Sequence, residues 1–350
     1  MKTIKYVLIV IVTVIVLAEI YYRIKGDYKT YSEQIGKKFD TDYGKELDSW
    51  FNTWKDHAPF VPPNDDFHYQ YSISKQHLRD KEYSYTKPDS VKRILISGDS
   101  FAEGVGAPYD STWPRLFEKE LRKVDKNVEV IDAGVSGSDI FFDYVLYREQ
   151  THNFKPDVVI AAMNSSDMND YMYRGGMERF KADGTTRYHN GPWYLPLYKY
   201  SHFARAILHK IYGFKYLGQF ITDKQIKDEM PAIVNAYGDI YKKYAEEAHK
   251  NGAHFYAVIH SCPSEVLYKN ETNENVINFM HAMYAKLNSE GITVINLLPG
   301  LDERLNKKQR EEITYQHDMH YNPYGYSVMA ELAADSLKAH GLLNVDTIQK

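Results

Sequence analysis

A serine placed just after a buried strand and a tight turn has what a nucleophile needs. It is exposed, rigidly mounted, and close to backbone N–H groups that can hold an oxyanion. The stretch ISGDSFAEGVG (96–106) offers that setting at Ser100, directly after Gly98-Asp99. A Gly-Asp-Ser turn alone is common and usually structural. It gains meaning beside HDMHYNPYGY (317–326), which carries the two groups that activate a serine hydroxyl. His320 is the candidate base. Asp318, two residues earlier, is the carboxylate that orients the ring and stabilises its imidazolium. Asn322-Pro323 then leads into a terminal helix that fixes the loop, and His317 lacks an acid at the same spacing. The chemistry of such a set is acyl transfer through a serine ester.

Other chemistries find no comparable pattern. The 14 histidines include no His-Glu-x-x-His, and a single cysteine, Cys262, permits no intramolecular disulfide and no Cys-pair metal site. Cys262, before Pro263, reads as an inert loop or core thiol, and His254 and His260 as strand-edge or packed residues. Gly104 and Gly106 do not meet the spacing of a phosphate-binding or dinucleotide loop. A net charge of -4 without a basic stripe leaves no nucleic-acid footprint. No cofactor and no metal are expected. Tyrosine is abundant, with 31 residues, and much of it is expected at or near the surface.

Bringing residues 100 and 320 together is the task of the elements between them. Apolar, β-branched runs at 91–97, 127–134, 156–164, 253–260 and 291–298 predict five strands. Helical spacing predicts helices over 112–123, 138–150, 232–250, 273–289 and 323–339. Strict alternation implies a parallel sheet covered on both faces: an α/β, doubly wound, flavodoxin-like five-stranded sheet in an α/β/α sandwich. In such folds the site lies beyond the carboxyl ends of the strands. Residues 171–231 interrupt the alternation after the third strand. This aromatic-rich insertion reads either as a lid or substrate platform, or as a buttress of the sheet.

From about residue 76 to the end, the chain resembles the SGNH/GDSL hydrolase family. Its motif regions occur in the family's order: Gly98-Asp99-Ser100-Phe101 with Glu103-Gly104, then Asp132-Ala133-Gly134-Val135-Ser136-Gly137, and finally Asp318-Met319-His320. HLRDKEYSYTKPDSVKRIL (77–95) resembles the lead-in of larger, membrane-associated members. The resemblance implies that the N–H groups of Ser100 and Gly137 form the oxyanion hole. The family's third region, Gly-x-Asn-Asp, is altered here to Asn164-Ser165-Ser166-Asp167. Residues two apart share a strand face, so Asn164 is favoured as the third donor, with the Ser166 hydroxyl as a weaker substitute. Asn169-Asp170 is a third register.

The N-terminus carries Lys2 and Lys5, an apolar run from Tyr6 to Ala18, and then Glu19. Val16-Leu17-Ala18 resembles a signal cleavage site, whereas Tyr21, Tyr22, Arg23 and Lys25 suit a membrane interface. Both a cleaved signal and a retained anchor fit, the anchor slightly better, and either places the body outside the cytoplasm. The expected organisation is a membrane segment at 1–25, a stalk and packing arm at 26–88, and a hydrolase-like domain at 89–350 that includes the insertion. The expected function is an exported serine esterase for acyl esters, acetyl foremost, with a cell-envelope glycan or lipid as substrate. An O-acyltransferase fed by a multi-span membrane donor protein shares the same triad. A non-catalytic glycan-binding module is the rival from another class.

Overall fold

Apolar residues with no polar face make Lys2–Lys25 a single helix, α1, in the computed structural model. The structure describes residues 2–25, 46–47, 66–69, 73–181, 186–187, 192–213, 222–261, 274–305, 311–315, 318 and 320–339. The most apolar window of α1 has a mean hydropathy of 2.4 and none of it is buried. Cys262, His317 and Met319 lie outside the described residues.

After a polar lead-in the chain alternates. β1 (Lys92–Gly98) ends in the one-turn helix α2 (Ser100–Glu103), and α3 (Trp113–Arg122) follows. Then come β2 (Val128–Gly134), α4 (Ile140–Glu149), β3 (Val158–Met163) and α5 (Asp167–Arg174). The insertion contributes α6 (Leu195–Tyr200) and α7 (His202–Tyr212). α8 (Asp223–Lys250), β4 (His254–Ile259), α9 (Glu274–Ser289), β5 (Thr293–Asn296), α10 (Leu298–Leu305) and α11 (Pro323–Ala339) complete the order. α8 starts nearer the N-terminus than its periodicity predicts. Pro231 lies inside it, where a missing N–H costs one backbone bond without ending the helix. The last strand is shorter than predicted, because residues from Leu298 onward form α10.

The chain divides into two units, Met1–Ser49 with Asn169–Glu229, and Trp50–Met168 with Met230–Lys350. The first holds α1, α6, α7 and a short antiparallel ladder pairing Glu46–Leu47 with Thr186–Arg187.

The second unit is built on a five-stranded, all-parallel sheet of order β2-β1-β3-β4-β5. This is the flavodoxin-like order, with the switch point between β1 and β3. One face packs Ile94, Ile96, Val130, Ile160 and Val258 against Phe117, Leu121, Met329 and Ala333 of α3 and α11. The opposite face meets α4 and α8. There the Tyr244 hydroxyl shares a 3.2 Å hydrogen bond with Ser97 Oγ, and its ring lies 5.0 Å from that of Phe255. Tyr147, Tyr237, Tyr241, Tyr244, Tyr321 and Tyr326 are fully buried, so part of the tyrosine content is core material.

Candidate active site

β1 is buried along most of its length and delivers Ser100 to the carboxyl edge of the sheet, at the first residue of α2. Asp99 caps that turn: its side chain accepts from Phe101 N at 2.9 Å. The first N–H groups of a helix have no intrahelical acceptor, so the N–H of Ser100 is available in kind to a developing negative charge. Close approach at this corner depends on Gly134. A Cβ there would stand 2.2 Å from Glu103 N and 2.6 Å from Ala102 C.

α11 and the segment before it bring up the partner groups. His320 Nε2 lies 2.8 Å from Ser100 Oγ, and His320 Nδ1 lies 2.7 Å from Asp318 Oδ1. The same carboxylate oxygen accepts from His320 N at 2.9 Å, and Asp318 N donates to Asp66 Oδ2 at 2.8 Å. With the Nδ1–H donating its hydrogen bond to Asp318 Oδ1, Nε2 is left to accept a hydrogen bond from the Ser100 hydroxyl. Phe101 lies beneath: its ring is 4.9 Å from that of His320, 5.3 Å from His260 and 5.8 Å from Tyr321. Gly106, at φ +95°, lets Tyr321 O approach to 2.5 Å of where a Cβ would stand.

The turn holding Gly137 is tied to the same corner. Val135 N and Ser138 Oγ both donate to Gly98 O at 2.9 Å, and Ser136 N donates to Glu103 Oε2. Burial pushes the Glu103 carboxyl above its ordinary range, against the Ser136 hydrogen bond and the positive field of Arg79.

Asn164 is fully buried beside Asp99. Its amide Nδ2 donates to Asp99 Oδ2 at 2.9 Å, and its Oδ1 accepts from Ser166 N at 2.9 Å. Ser166 is half-buried in the turn that this bond closes. In the third register, Asp170 pairs with Arg174 at 3.5 Å. His260 sits buried at the carboxyl end of β4, whereas His254 starts that strand at the other end. Among the described residues no group of metal-ligating side chains converges.

Sequence reading missed the residues that hold the loop after Ser100. Arg79 forks onto three carbonyls, Glu103 O at 2.8 Å, Gly104 O at 2.7 Å and Ala107 O at 2.5 Å. Gly106 N donates to the Tyr69 hydroxyl at 2.7 Å, and Tyr315 and Tyr326 donate to Gly106 O and Val105 O. The only local signal was the stretch beginning at His77, which resembles a family lead-in and contains Arg79.

The sequence of residues 96–328 matches a model of the GDSL-like lipase/acylhydrolase family. No curated protein sequence matches the chain. Among solved structures it is similar to the acetyl xylan esterase AlAXEase, at 15% identity and a TM-score of 0.43, over 70% of this chain and 99% of that one. It is also similar to the acetylxylan esterase Axe2 from Geobacillus stearothermophilus, at 11% identity and a TM-score of 0.44, over 71% and 93%. A lipase/acylhydrolase from Enterococcus faecalis matches at 12% identity and a TM-score of 0.43, over 71% and 97%. The extent of the family match decides the class: the chain belongs to the GDSL-like lipase/acylhydrolase family and is a hydrolase of ester bonds with an α/β fold.

Proposed function

We propose that the protein is an exported serine esterase that cleaves acyl esters, acetyl foremost, with Ser100, His320 and Asp318 as its triad. The observation that carries this reading is the hydrogen-bonded chain from Asp318 through His320 to Ser100 Oγ at the carboxyl edge of β1. Ser100 Oγ attacks the ester carbonyl while its proton passes to His320 Nε2. The imidazolium is stabilised by Asp318. Negative charge on the carbonyl oxygen is held by the N–H groups of Ser100 and Gly137, with Asn164 or Ser166 nearby as side-chain donors. As the intermediate collapses, the ester C–O bond breaks and His320 returns its proton to the leaving alcohol. Water then gives a proton to His320 and attacks the acyl-serine. The acid departs and Ser100 regains its proton.

The apolar N-terminal helix supports an extracytoplasmic body, and with it a cell-envelope glycan or lipid as the source of the ester. Replacing water by a sugar hydroxyl in the second half would turn the same acyl-enzyme into an acyl transfer catalyst.

The test is hydrolysis of p-nitrophenyl acetate by the full-length protein, with Ser100→Ala and His320→Ala alongside. Each variant is expected to lose roughly 10³–10⁶ in kcat, the scale seen when members of a serine triad are removed. Equal turnover by all three proteins would sink the assignment. Faster acyl transfer to an added oligosaccharide than to water would move it from esterase to transferase.

A further inference from the structure

α1 carries an acid, Glu19, directly after its apolar run. The Glu19 carboxylate accepts from Ser201 Oγ at 2.8 Å, Phe203 N at 2.9 Å and His202 N at 3.1 Å. These two N–H groups open α7 and have no intrahelical acceptor. A carboxylate at that end is also favoured by the helix dipole. Ser201 completes the cap, its Oγ accepting from Ala204 N at 3.0 Å. One turn further along α1, Arg23 pairs with Glu19 at 2.6 Å and donates to Tyr200 O at 3.0 Å. The Tyr22 ring lies 6.1 Å from that of Phe203.

Burial along α1 follows the same division. Among its described side chains only Ala18, Glu19 and Tyr22 are half-buried, and all the others are exposed. Packing is therefore confined to the last two turns. The stretch before Glu19 rises roughly 25 Å at about 1.5 Å per residue. That is close to the ~30 Å hydrocarbon core of a bilayer, and it leaves Glu19 and Arg23 at headgroup level.

The segment clamped there is itself apolar on the outside. Trp193 is 81% exposed, Ile211 68% and Tyr200 68%, with Leu197, Ile207 and Tyr212 exposed as well. Aromatic and aliphatic side chains in one segment with basic residues at the end of α1 (Arg23, Lys25) and in α7 (Lys210) have the composition of a membrane boundary. The bonds from Glu19 and Arg23 hold the start of α7 and the end of α6 against the end of α1, so these elements begin at the level at which α1 exits the lipid.

We propose that Glu19 locks the last two turns of α1 onto α7, so that α1 is retained as an anchor and the α6–α7 segment rests on the lipid surface through its exposed apolar side chains. This rests on reading α1 as a membrane segment and is independent of the chemistry assigned to Ser100.

The test uses the full chain with Cys262→Ser, in vesicles of phosphatidylcholine and phosphatidylglycerol. Mass spectrometry of the membrane-bound protein should find residues 2–25 still attached. The Y22C/F203C pair should give a thiol-crosslinked peptide in the vesicles, and adding Glu19→Ala should lower its yield roughly five-fold, the equivalent of one lost helix cap. A fluorophore on I211C should be quenched by a lipid carrying a spin label near its headgroup. A mature chain beginning after residue 18, an absent crosslink, or a fluorophore quenched by aqueous iodide and not by the lipid would each overturn the proposal. The last result would mark the face as free or as a protein-docking surface. Hydrolysis of p-nitrophenyl acetate on the same vesicles separates the two readings. An inactive protein that passes these tests refutes the esterase chemistry alone, and an active one that fails them refutes the membrane seat alone.

Discussion

At the scale of single residues, Asp99 links the proposed nucleophile, Ser100, to the third strand. One of its carboxylate oxygens caps α2 through Phe101 N, and the other accepts from Asn164 Nδ2. His260 adds a third neighbour, its ring lying in the field of the Asp99 carboxylate. Asn164 is thus placed to act on Ser100 through Asp99, as a positioning residue, whatever its second amide proton does. Asn164→Ala would leave a buried carboxylate one donor short, which costs about 1–3 kcal/mol. The expected result is a lower denaturation midpoint together with a lower kcat. A direct oxyanion role alone would lower kcat by roughly 10²–10³ and leave the midpoint unchanged. Urea denaturation and kcat measured on the same variant distinguish these. An unchanged midpoint would refute the positioning role.

At the scale of elements, the loop that follows α2 is held from two distant parts of the chain, the 66–79 lead-in and the 315–326 segment. Arg79 bonds three consecutive-turn carbonyls with a planar fork, a geometry that a lysine ammonium cannot reproduce. Arg79→Ala is expected to cost about 3 kcal/mol by stranding buried acceptors, and Arg79→Lys to recover less than half of that. Wild-type stability in Arg79→Lys would show that charge, not the fork, matters. These contacts also explain what was legible in the sequence. β1, β2, β3 and β4 follow from local β-branched runs, and Ser100, Asp318 and His320 from short motifs that sit at the ends of such elements. The grip of Arg79, Tyr69 and Tyr315 on the loop joins residues far apart along the chain, so no local period announces it. The same holds for Glu19, whose partners at 201–203 are 182 to 184 residues away along the chain, and for Asn164, whose spacing was readable but whose partner Asp99 was not.

At the scale of the whole molecule, buried titratable groups set how the fold responds to pH, and they act in opposite directions. Burial, reinforced by the like charge of Asp80, raises the Asp132 carboxyl well above its ordinary range, against Gly134 N, Arg115 and Arg79. Burial also raises Asp80 and Glu103. Above about pH 4 the unfolded chain has released these protons while the folded chain still holds them, so these groups lose stability as pH rises through that window. His260 has the reverse sign. Burial lowers its pKa, against the pull of Asp99 and a hydrogen bond with Ser261 O. As pH falls below about 6.5 the unfolded chain takes up a proton that the folded chain refuses, and stability is lost. Between about pH 4 and about pH 6.5 the two effects oppose each other, and three carboxyls outweigh one imidazole. The melting temperature, followed from about pH 4 to about pH 8, should therefore fall as pH rises, less steeply below about pH 6.5 than the carboxyls alone would make it. His260→Asn removes the titrating ring from both states and is expected to steepen the fall of melting temperature between about pH 4 and about pH 6.5. Asp132→Asn keeps an acceptor for Gly134 N and is expected to flatten the decline toward neutral pH. A His260→Asn curve parallel to wild type below about pH 6.5 would mean that the folded protein accommodates the imidazolium, and that the site beneath Phe101 is more polar than its burial indicates.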